Sequence, residues 1–139
     1  MILGCLPALL LLSGCGDPGP SECDSPDARN SVVKIISEDR NNALVVYAAK
    51  SSSAVAAMAG NASTEAEKLA ILEKAIQGAA YRLDDAIRTN SRNKAGRTAT
   101  CSGLLYVTVE DATAQKEVDF KAQQTADGKV SVSVSPFQF

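Results

Sequence analysis

The sequence of 139 residues predicts an α+β domain in which two helices pack on one face of an antiparallel β-meander of three to four strands. The first observation is a period of two in the C-terminal third, where apolar and polar residues alternate as they do in strands with one solvated face. The second is a pair of earlier stretches in which helix-capping residues precede apolar residues three and four positions apart. This spacing is typical of amphipathic helices.

The first helix is predicted to begin where Ser25 precedes Pro26 and Asp27. Serine is a preferred N-cap, proline is tolerated at the first helical position, and an acidic residue interacts favourably with the positive end of the helix dipole. We expect the helix to end at about Arg40, with the pair Asn41-Asn42 as terminator. Its predicted apolar stripe consists of Ala28, Val32, Val33 and Ile36.

Residues 43–60 fit neither period, because the stretch is rich in small residues and nearly uncharged. We expect an extension of the first helix followed by a loose loop. Lys50 and the triplet Ser51–Ser53 argue against a membrane span, since charges in the middle of a span are costly. A second interpretation stays open, in which this stretch binds a partner that covers the apolar residues Leu44–Tyr47.

A second helix is predicted after Thr64, because Thr64 and Glu67 form the pattern of a capping box. Gly78 weakens this helix near its end. An extended segment is expected over 83–93, followed by a turn at 94–96. The apolar residues of the helix are spaced three and four apart and indicate a face that packs on the core; they are Leu69, Leu72, Ile76 and Ala79.

Three runs of alternating residues predict the strands of the meander. The first covers 98–109, the second is centred on 118–123, and the third covers 130–135. The pair Asp127-Gly128 is the expected hairpin turn between the second and third runs. The residues that these runs direct to the core are Ala99, Cys101, Gly103, Leu105, Val107, Val109, Val118, Phe120, Ala122, Val130, Val132 and Val134.

The composition excludes several functional classes. The chain has 14 Lys and Arg against 16 Asp and Glu and no His, so it lacks a Ser-His-Asp or Cys-His relay and an imidazole metal site. A formal net charge of -2 without a basic run gives no footprint for nucleic acid. The adjacent carboxylates Asp84-Asp85 and Glu110-Asp111 are typical of solvated surface or turns. We therefore expect a protein that is not an enzyme, with no cofactor, metal or small-molecule substrate.

The first sixteen residues carry no charged side chain. Ile2–Leu12 is an apolar run with the length of a signal-peptide core, well short of the roughly 20 residues of a membrane-spanning helix. It ends in Leu12-Ser13-Gly14-Cys15, which resembles the lipobox of bacterial lipoproteins. The alternative, an apolar helix packed in the core, is disfavoured by Pro7 and by the break at 14–18.

The lipoprotein resemblance implies that residues 1–14 are removed as a signal peptide and that Cys15 receives acyl chains, which anchor the protein in a membrane. Residues 15–22 then form the lipidated start and a flexible tether, and residues 23–139 form a single domain. Gly16 rather than an aspartate follows the lipidated cysteine, which in that family favours the outer membrane over the inner one. The implied location is the cell envelope, facing the periplasm.

The same resemblance assigns the four cysteines. Cys5 lies in the removed segment and Cys15 is acylated, which leaves Cys23 and Cys101. In an oxidising envelope these two are expected to form a disulfide. A role for Cys101 as a free nucleophile is disfavoured, because the chain has no His to activate it and the residue lies in a predicted strand.

The folded part, from Cys23 to Val134, resembles small envelope domains of bacterial lipoproteins whose role is unknown. The pattern that carries this resemblance is Cys101-x-Gly103-x-Leu105-x-Val107, followed by Val118-x-Phe120 and Asp127-Gly128-Lys129. The resemblance bears on the fold, and those domains have no known catalytic residue set. Together with the absence of His, this favours a non-catalytic interaction module of the cell envelope, either an assembly component or an exclusion or inhibitor protein. Its partner is then an envelope protein.

One short motif suggests an alternative function. Ser102-Gly103-Leu104-Leu105-Tyr106 resembles the S-G-x-x-Y signature of C-type lysozyme inhibitors, which are small β-rich envelope proteins. The second signature of that family, aromatic residues followed by Thr-Lys-Gly, is absent from this sequence. In this interpretation Ser102 and Tyr106 bind the lysozyme.

Overall fold

A computed structural model describes residues 23–93, 95 and 97–135. Its elements are α1 (Pro26–Glu38), α2 (Ala43–Ser51), α3 (Ser53–Gly60), α4 (Glu65–Gln77), β1 (Ala80–Leu83), β2 (Arg88–Asn93), β3 (Thr98–Val109), β4 (Ala112–Gln124) and β5 (Val130–Val134). The α+β class is confirmed, but the described residues form four helices and five strands, more than the sequence predicted. The lipobox, the signal peptide at 1–14, Cys15 and the tether at 15–22 lie outside the described residues, as does most of the turn at 94–96.

The first helix begins where the sequence predicts. The Ser25 hydroxyl accepts the backbone N–H of Ala28 at 3.1 Å, and Pro26 is the first helical residue. α1 ends at Glu38, because Asp39 leaves the helical conformation. The buried residues of its apolar stripe are Ala28, Val32 and Ile36, while Val33 is half-buried.

Residues 43–60 form two helices, so the expected helix extension and loose loop are wrong. Asn42, predicted as a terminator, is the N-cap of α2, and its side-chain oxygen accepts the N–H of Val45 at 2.8 Å. Ser52 ends α2 and caps α3 by accepting the N–H of Val55 at 3.1 Å. The buried residues of α2 are Leu44, Val45, Ala48 and Ala49. A helix with so little polar surface shows no helical period in its sequence.

No single described helix is long and apolar enough to cross a membrane. α2 and α3 meet the criteria of length and composition only as a pair, and this pair is bent by 68°. Ser52 accounts for the bend, since its extended backbone ends one helix and starts the next.

α4 starts at the predicted N-cap Thr64, and Glu67 reaches back as predicted, although to Ser63 and not to Thr64. Thr64 Oγ1 accepts the N–H of Glu67 at 3.1 Å, and the Glu67 carboxylate accepts the N–H of Ser63 at 2.8 Å. The predicted core-facing stripe is wrong in its extent: Ala75 is buried, whereas Leu69 is 57% exposed. α4 packs mainly on α3 and α2, and therefore lies at the periphery of the core.

The strands form one antiparallel sheet in the order β1-β3-β4-β5, and β2 pairs with the same edge of β3 as β1 does. The extended segment expected over 83–93 is thus split between two strands. β3 and β4 are joined by the two-residue turn Glu110-Asp111, in which Glu110 has a φ of 53°. Gly128, with a φ of 83°, lies in the turn between β4 and β5, where the sequence predicts Asp127-Gly128.

α1 and α2 cover one face of the sheet, and the alternate residues of β3 from Ala99 to Val109 are buried on that face, as predicted. α1 contacts both β1 and β5, which lie at opposite edges, so the sheet curls around this helix. The Sγ atoms of Cys23 and Cys101 lie 2.04 Å apart, which is the distance of a disulfide bond. This bond joins the chain just before α1 to the middle of β3.

Candidate functional site

The candidate site is the face of the sheet opposite to α1 and α2, which we call the open face. Strand register decides which residues belong to it, because successive side chains of a strand point to opposite faces. Arg82 pairs with Tyr106, Arg88 with Ser102, and Leu104 with Glu117. The open face includes Arg82, Arg88, Asn90, Ser102, Leu104, Tyr106, Glu117 and Asp119.

Tyr106 forms the aromatic centre of the open face. The guanidinium carbon of Arg82 lies 4.3 Å from the centroid of its ring, which is the geometry of a cation–π contact. A carboxylate oxygen of Asp84 lies 3.8 Å from the same guanidinium group. Leu104, two residues before Tyr106 on the same face, is half-buried. An arginine, a tyrosine and a leucine are thus presented together.

Ser102 faces the same side, but it is 3% exposed, so the predicted position on a solvated polar face is wrong for its side chain. Its hydroxyl accepts a hydrogen bond from Asn90 Nδ2 at 2.6 Å and donates one to Asp119 Oδ1 at 2.7 Å. A shift in register between Thr89 and Ser91 brings the Asn90 amide over this hydroxyl. A hydroxyl has a single proton to donate, and here Asp119 takes it. Ser102 therefore cross-links β2, β3 and β4.

Charged side chains lie beside this network. Arg88 Nη2 lies 3.3 Å from Glu117 Oε1, and Arg88 Nε donates to Asn90 Oδ1 at 3.1 Å. Both charged partners are largely exposed, and exposed ion pairs contribute little to stability.

No family model, curated protein or solved structure matches the chain. Within the described residues, no three His, Cys, Asp or Glu side chains are grouped so that they could hold a metal ion. The open face can bind through its aromatic ring, its guanidinium group and its leucine.

The two pairs of adjacent carboxylates serve the fold. Asp85 Oδ1 accepts a hydrogen bond from Arg29 Nη2 at 2.6 Å, which fastens α1 to the segment after β1. Asp111 accepts from the Ser52 hydroxyl at 2.5 Å and from the N–H of Ala54 at 3.2 Å. These bonds, that from Ser52 foremost, lower the pKa of the Asp111 carboxyl. The turn after β3 is thereby fixed to the start of α3.

A groove of about 540 Å³ separates α1 from β1. Arg29 lies in its wall and also donates to the carbonyl oxygen of Leu83 at 3.0 Å. Lys34 and Arg82 lie in the same wall, so the groove has a basic lining. Arg29 and Arg82 already contact carboxylates of the segment after β1, which balances much of this charge.

Sequence reasoning found Tyr106 but missed its partners. Arg82 lies in a four-residue strand, too short to show alternation, and directly after a predicted helix. Asn90 lies at an irregularity of β2, in which every residue is exposed and apolar alternation is absent. Only cross-strand register places these side chains beside β3, and the sequence carries no signal of that register.

Proposed function

We propose that this protein is a non-catalytic, lipid-anchored binding module of the bacterial cell envelope, and that it holds an envelope protein against its open face. The observation that carries the binding role is the Arg82–Tyr106 contact at the centre of that face. Tyrosine and arginine are enriched among the residues that dominate the energy of protein interfaces. Asp84 and the ring of Tyr106 hold Arg82 in place, so less side-chain entropy is lost on binding.

The charge on the open face supports a protein as the partner. Arg82, Arg88 and Lys121 are balanced by Asp84, Glu117 and Asp119, so the face carries no excess of positive charge. A surface for nucleic acid needs such an excess, since neutralised phosphates supply most of the affinity.

The anchor is supported by the lipobox and by the start of the folded chain. Cys23 is buried and bonded to Cys101, so the rigid body begins eight positions after Cys15. The seven residues between Cys15 and Cys23 reach at most about 23 Å when extended. The disulfide between Cys23 and Cys101 also fits the oxidising envelope. A partner must then approach close to the membrane.

The anchor is tested by mass spectrometry of the full chain expressed in a bacterium. The wild-type protein is expected to begin at Cys15 and to carry the mass of acyl chains, whereas Cys15→Ser is expected to lack them. Cys5→Ser is the matched control, because Cys5 lies in the removed segment and its loss leaves the acylated mass unchanged. A wild-type mass without acyl chains would refute the lipoprotein proposal.

The binding role is tested by photo-crosslinking in cells. A photoreactive residue at position 106 is expected to capture one reproducible envelope protein, and Arg82→Ala is expected to weaken capture from a probe at position 104. A probe at Lys50, on the helical side of the molecule, is the control. Recovery of the same proteins from all positions, or of none, would contradict binding at the open face.

The alternative function, inhibition of a C-type lysozyme through Ser102 and Tyr106, is favoured by the position of the half-buried Tyr106 and Leu104 on one open face. It predicts that the protein inhibits a muramidase and that Tyr106→Ala and Ser102→Ala each weaken inhibition. The Ser102 hydroxyl already bonds Asn90 and Asp119, so its contribution is to the shape of the face. Absence of inhibition by the wild-type protein would exclude this alternative.

A further inference from the structure

β5 is an edge strand whose outer hydrogen-bonding groups lack partners among the described residues. The N–H of Ser135 donates to the carbonyl of Asp119 at 2.9 Å, and the N–H of Thr125 donates to the carbonyl of Lys129 at 2.8 Å. In an antiparallel ladder, residues that bond the neighbouring strand alternate with residues that face away from it. The main chains of Ser131 and Ser133 therefore bond β4. The residues whose N–H and C=O groups point away from the sheet are Val130, Val132 and Val134.

The opposite edge of the sheet is protected in ways that β5 is not. β2 carries Arg88 and Arg92 and has a register irregularity between Thr89 and Ser91. Charged residues and bulges are the usual means by which an edge strand avoids pairing with another chain. β5 is uncharged and free of proline, and its pairing with β4 runs without a shift. Compared with β2, the longer strand at the opposite edge, β5 is left able to accept a further strand.

We propose that two copies of this chain pair through β5, antiparallel and around a twofold axis at Val132. The strand reads Val-Ser-Val-Ser-Val and is the same in both directions. Val132 then lies opposite Val132 of the second copy, and Val130 lies opposite Val134 of the second copy. By the same symmetry Val134 lies opposite Val130 of the second copy. Each of the three pairs exchanges two hydrogen bonds, which satisfies the outward N–H and C=O groups of all three valines. A twofold interface requires this kind of self-complementary patch.

The side chains around β5 agree with this pairing. The valines face α1 and are half-buried, and pairing places the valines of the two copies side by side beneath a continuous sheet. Ile35, which is 38% exposed, lies with Asp39 in a cleft beside Val134.

The exposed serines of β5 provide the test. In the dimer Ser131 lies opposite Ser133 of the second copy, and both side chains point to solvent in the monomer. Ser131→Lys/Ser133→Lys places two pairs of like charges directly across the interface, whereas Ser131→Lys/Ser133→Glu places two pairs of opposite charges there. Opposite charges directly across two antiparallel strands stabilise their pairing, and like charges destabilise it. We expect the dissociation constant of the Lys/Lys variant to exceed that of the Lys/Glu variant by about tenfold or more.

The measurement is analytical ultracentrifugation of the full chain in a mild detergent over a range of concentrations. The wild-type protein and the Lys/Glu variant are expected to form dimers, and the Lys/Lys variant to shift toward monomer. Thr113→Lys/Gln115→Lys adds the same charge on β4 and is expected to dimerise like the wild type. Val132→Pro removes only an outward N–H and is expected to give a folded monomer. A wild-type protein that stays monomeric, or equal association of the Lys/Lys and Lys/Glu variants, would overturn the proposal.

Discussion

The side-chain amide of Asn42 donates a hydrogen bond to the hydroxyl of Tyr81 at 3.0 Å, which joins the start of α2 to β1. The same nitrogen lies 2.8 Å from the carbonyl oxygen of Asp39 and 3.2 Å from that of Ile36, at the end of α1, so its two protons are shared among three acceptors. The amide oxygen accepts the N–H of Val45. One buried side chain thus supplies partners to two helix ends and to the sheet.

Asn42→Ala is expected to lower the free energy of unfolding by about 1 to 3 kcal/mol, because it removes an N-cap together with the side-chain bonds to the end of α1 and to Tyr81. Urea denaturation followed by circular dichroism measures the change. Asn41→Ala is the control. This exposed neighbour bonds the Asp39 carboxylate through its backbone N–H, which the substitution keeps, so its replacement is expected to cost less than about 0.5 kcal/mol. Equal losses for the two variants would show that the Asn42 side chain has no such role.

Alkaline pH is expected to reduce stability through Tyr81. Burial raises the pKa of this phenol above its ordinary value of 10.0, and the hydrogen bond from Asn42 offsets part of the rise. The unfolded chain therefore releases this proton at lower pH than the folded protein does, so ionisation favours unfolding. The stability is intact below pH 10.0 and is lost as the pH rises through the folded pKa.

Tyr81→Phe removes this titration and serves as the reference for it. The difference in unfolding free energy between the wild type and Tyr81→Phe is expected to stay constant from neutral pH up to about 9 and then to shift in favour of the variant. Denaturation series at several pH values measure it. A constant difference across the whole range would contradict the assignment of the alkaline loss to Tyr81.

The disulfide is expected to contribute a large share of the stability. Cys23 and Cys101 are 78 positions apart, and in the chain-entropy model a bond that closes so long a loop is worth about 4.5 kcal/mol. Cys23→Ala/Cys101→Ala is expected to lose approximately this amount in urea denaturation, and reduction of the wild type is expected to reproduce the loss. A variant within about 1 kcal/mol of the wild type would contradict the prediction.

The elements that the sequence predicts well are those with one face toward the core and one toward solvent. α1 has a buried stripe and β3 alternates, so each repeats its own period in the sequence. α2 and α3 were missed because they are nearly uncharged and display no polar face. β2 was missed as a separate strand because all six of its residues are exposed.

The candidate site was predictable only in part, for a related reason. Tyr106 belongs to a strand of strong periodicity, so its face could be assigned from the sequence. The burial of Ser102 depends on Asn90 and Asp119, which lie on two other strands. A contact between strands far apart in sequence leaves no periodic signal. The side chains that meet on the open face could therefore be identified only from the register of the sheet.

We expect position 103 to require glycine because neighbouring side chains leave little room for a larger residue, and not because of its backbone conformation. It lies in the middle of β3 on the core face, where an added Cβ would lie 3.2 Å from Leu83 Cδ1 and 3.4 Å from Ile87 Cγ1. Gly103→Val is expected to lower the free energy of unfolding by about 1 to 3 kcal/mol through overpacking, although valine favours strands.

A double-mutant cycle with Leu83 separates the two effects. Leu83→Ala alone is expected to cost about 2 to 4 kcal/mol, because it opens a cavity under β1. Combined with Gly103→Val, it gives the valine side chain the vacated space, so the double variant is expected to lose less than the sum of the single losses. Additive losses in urea denaturation would show that the cost of a side chain at position 103 does not arise from contact with Leu83, and would contradict the packing account.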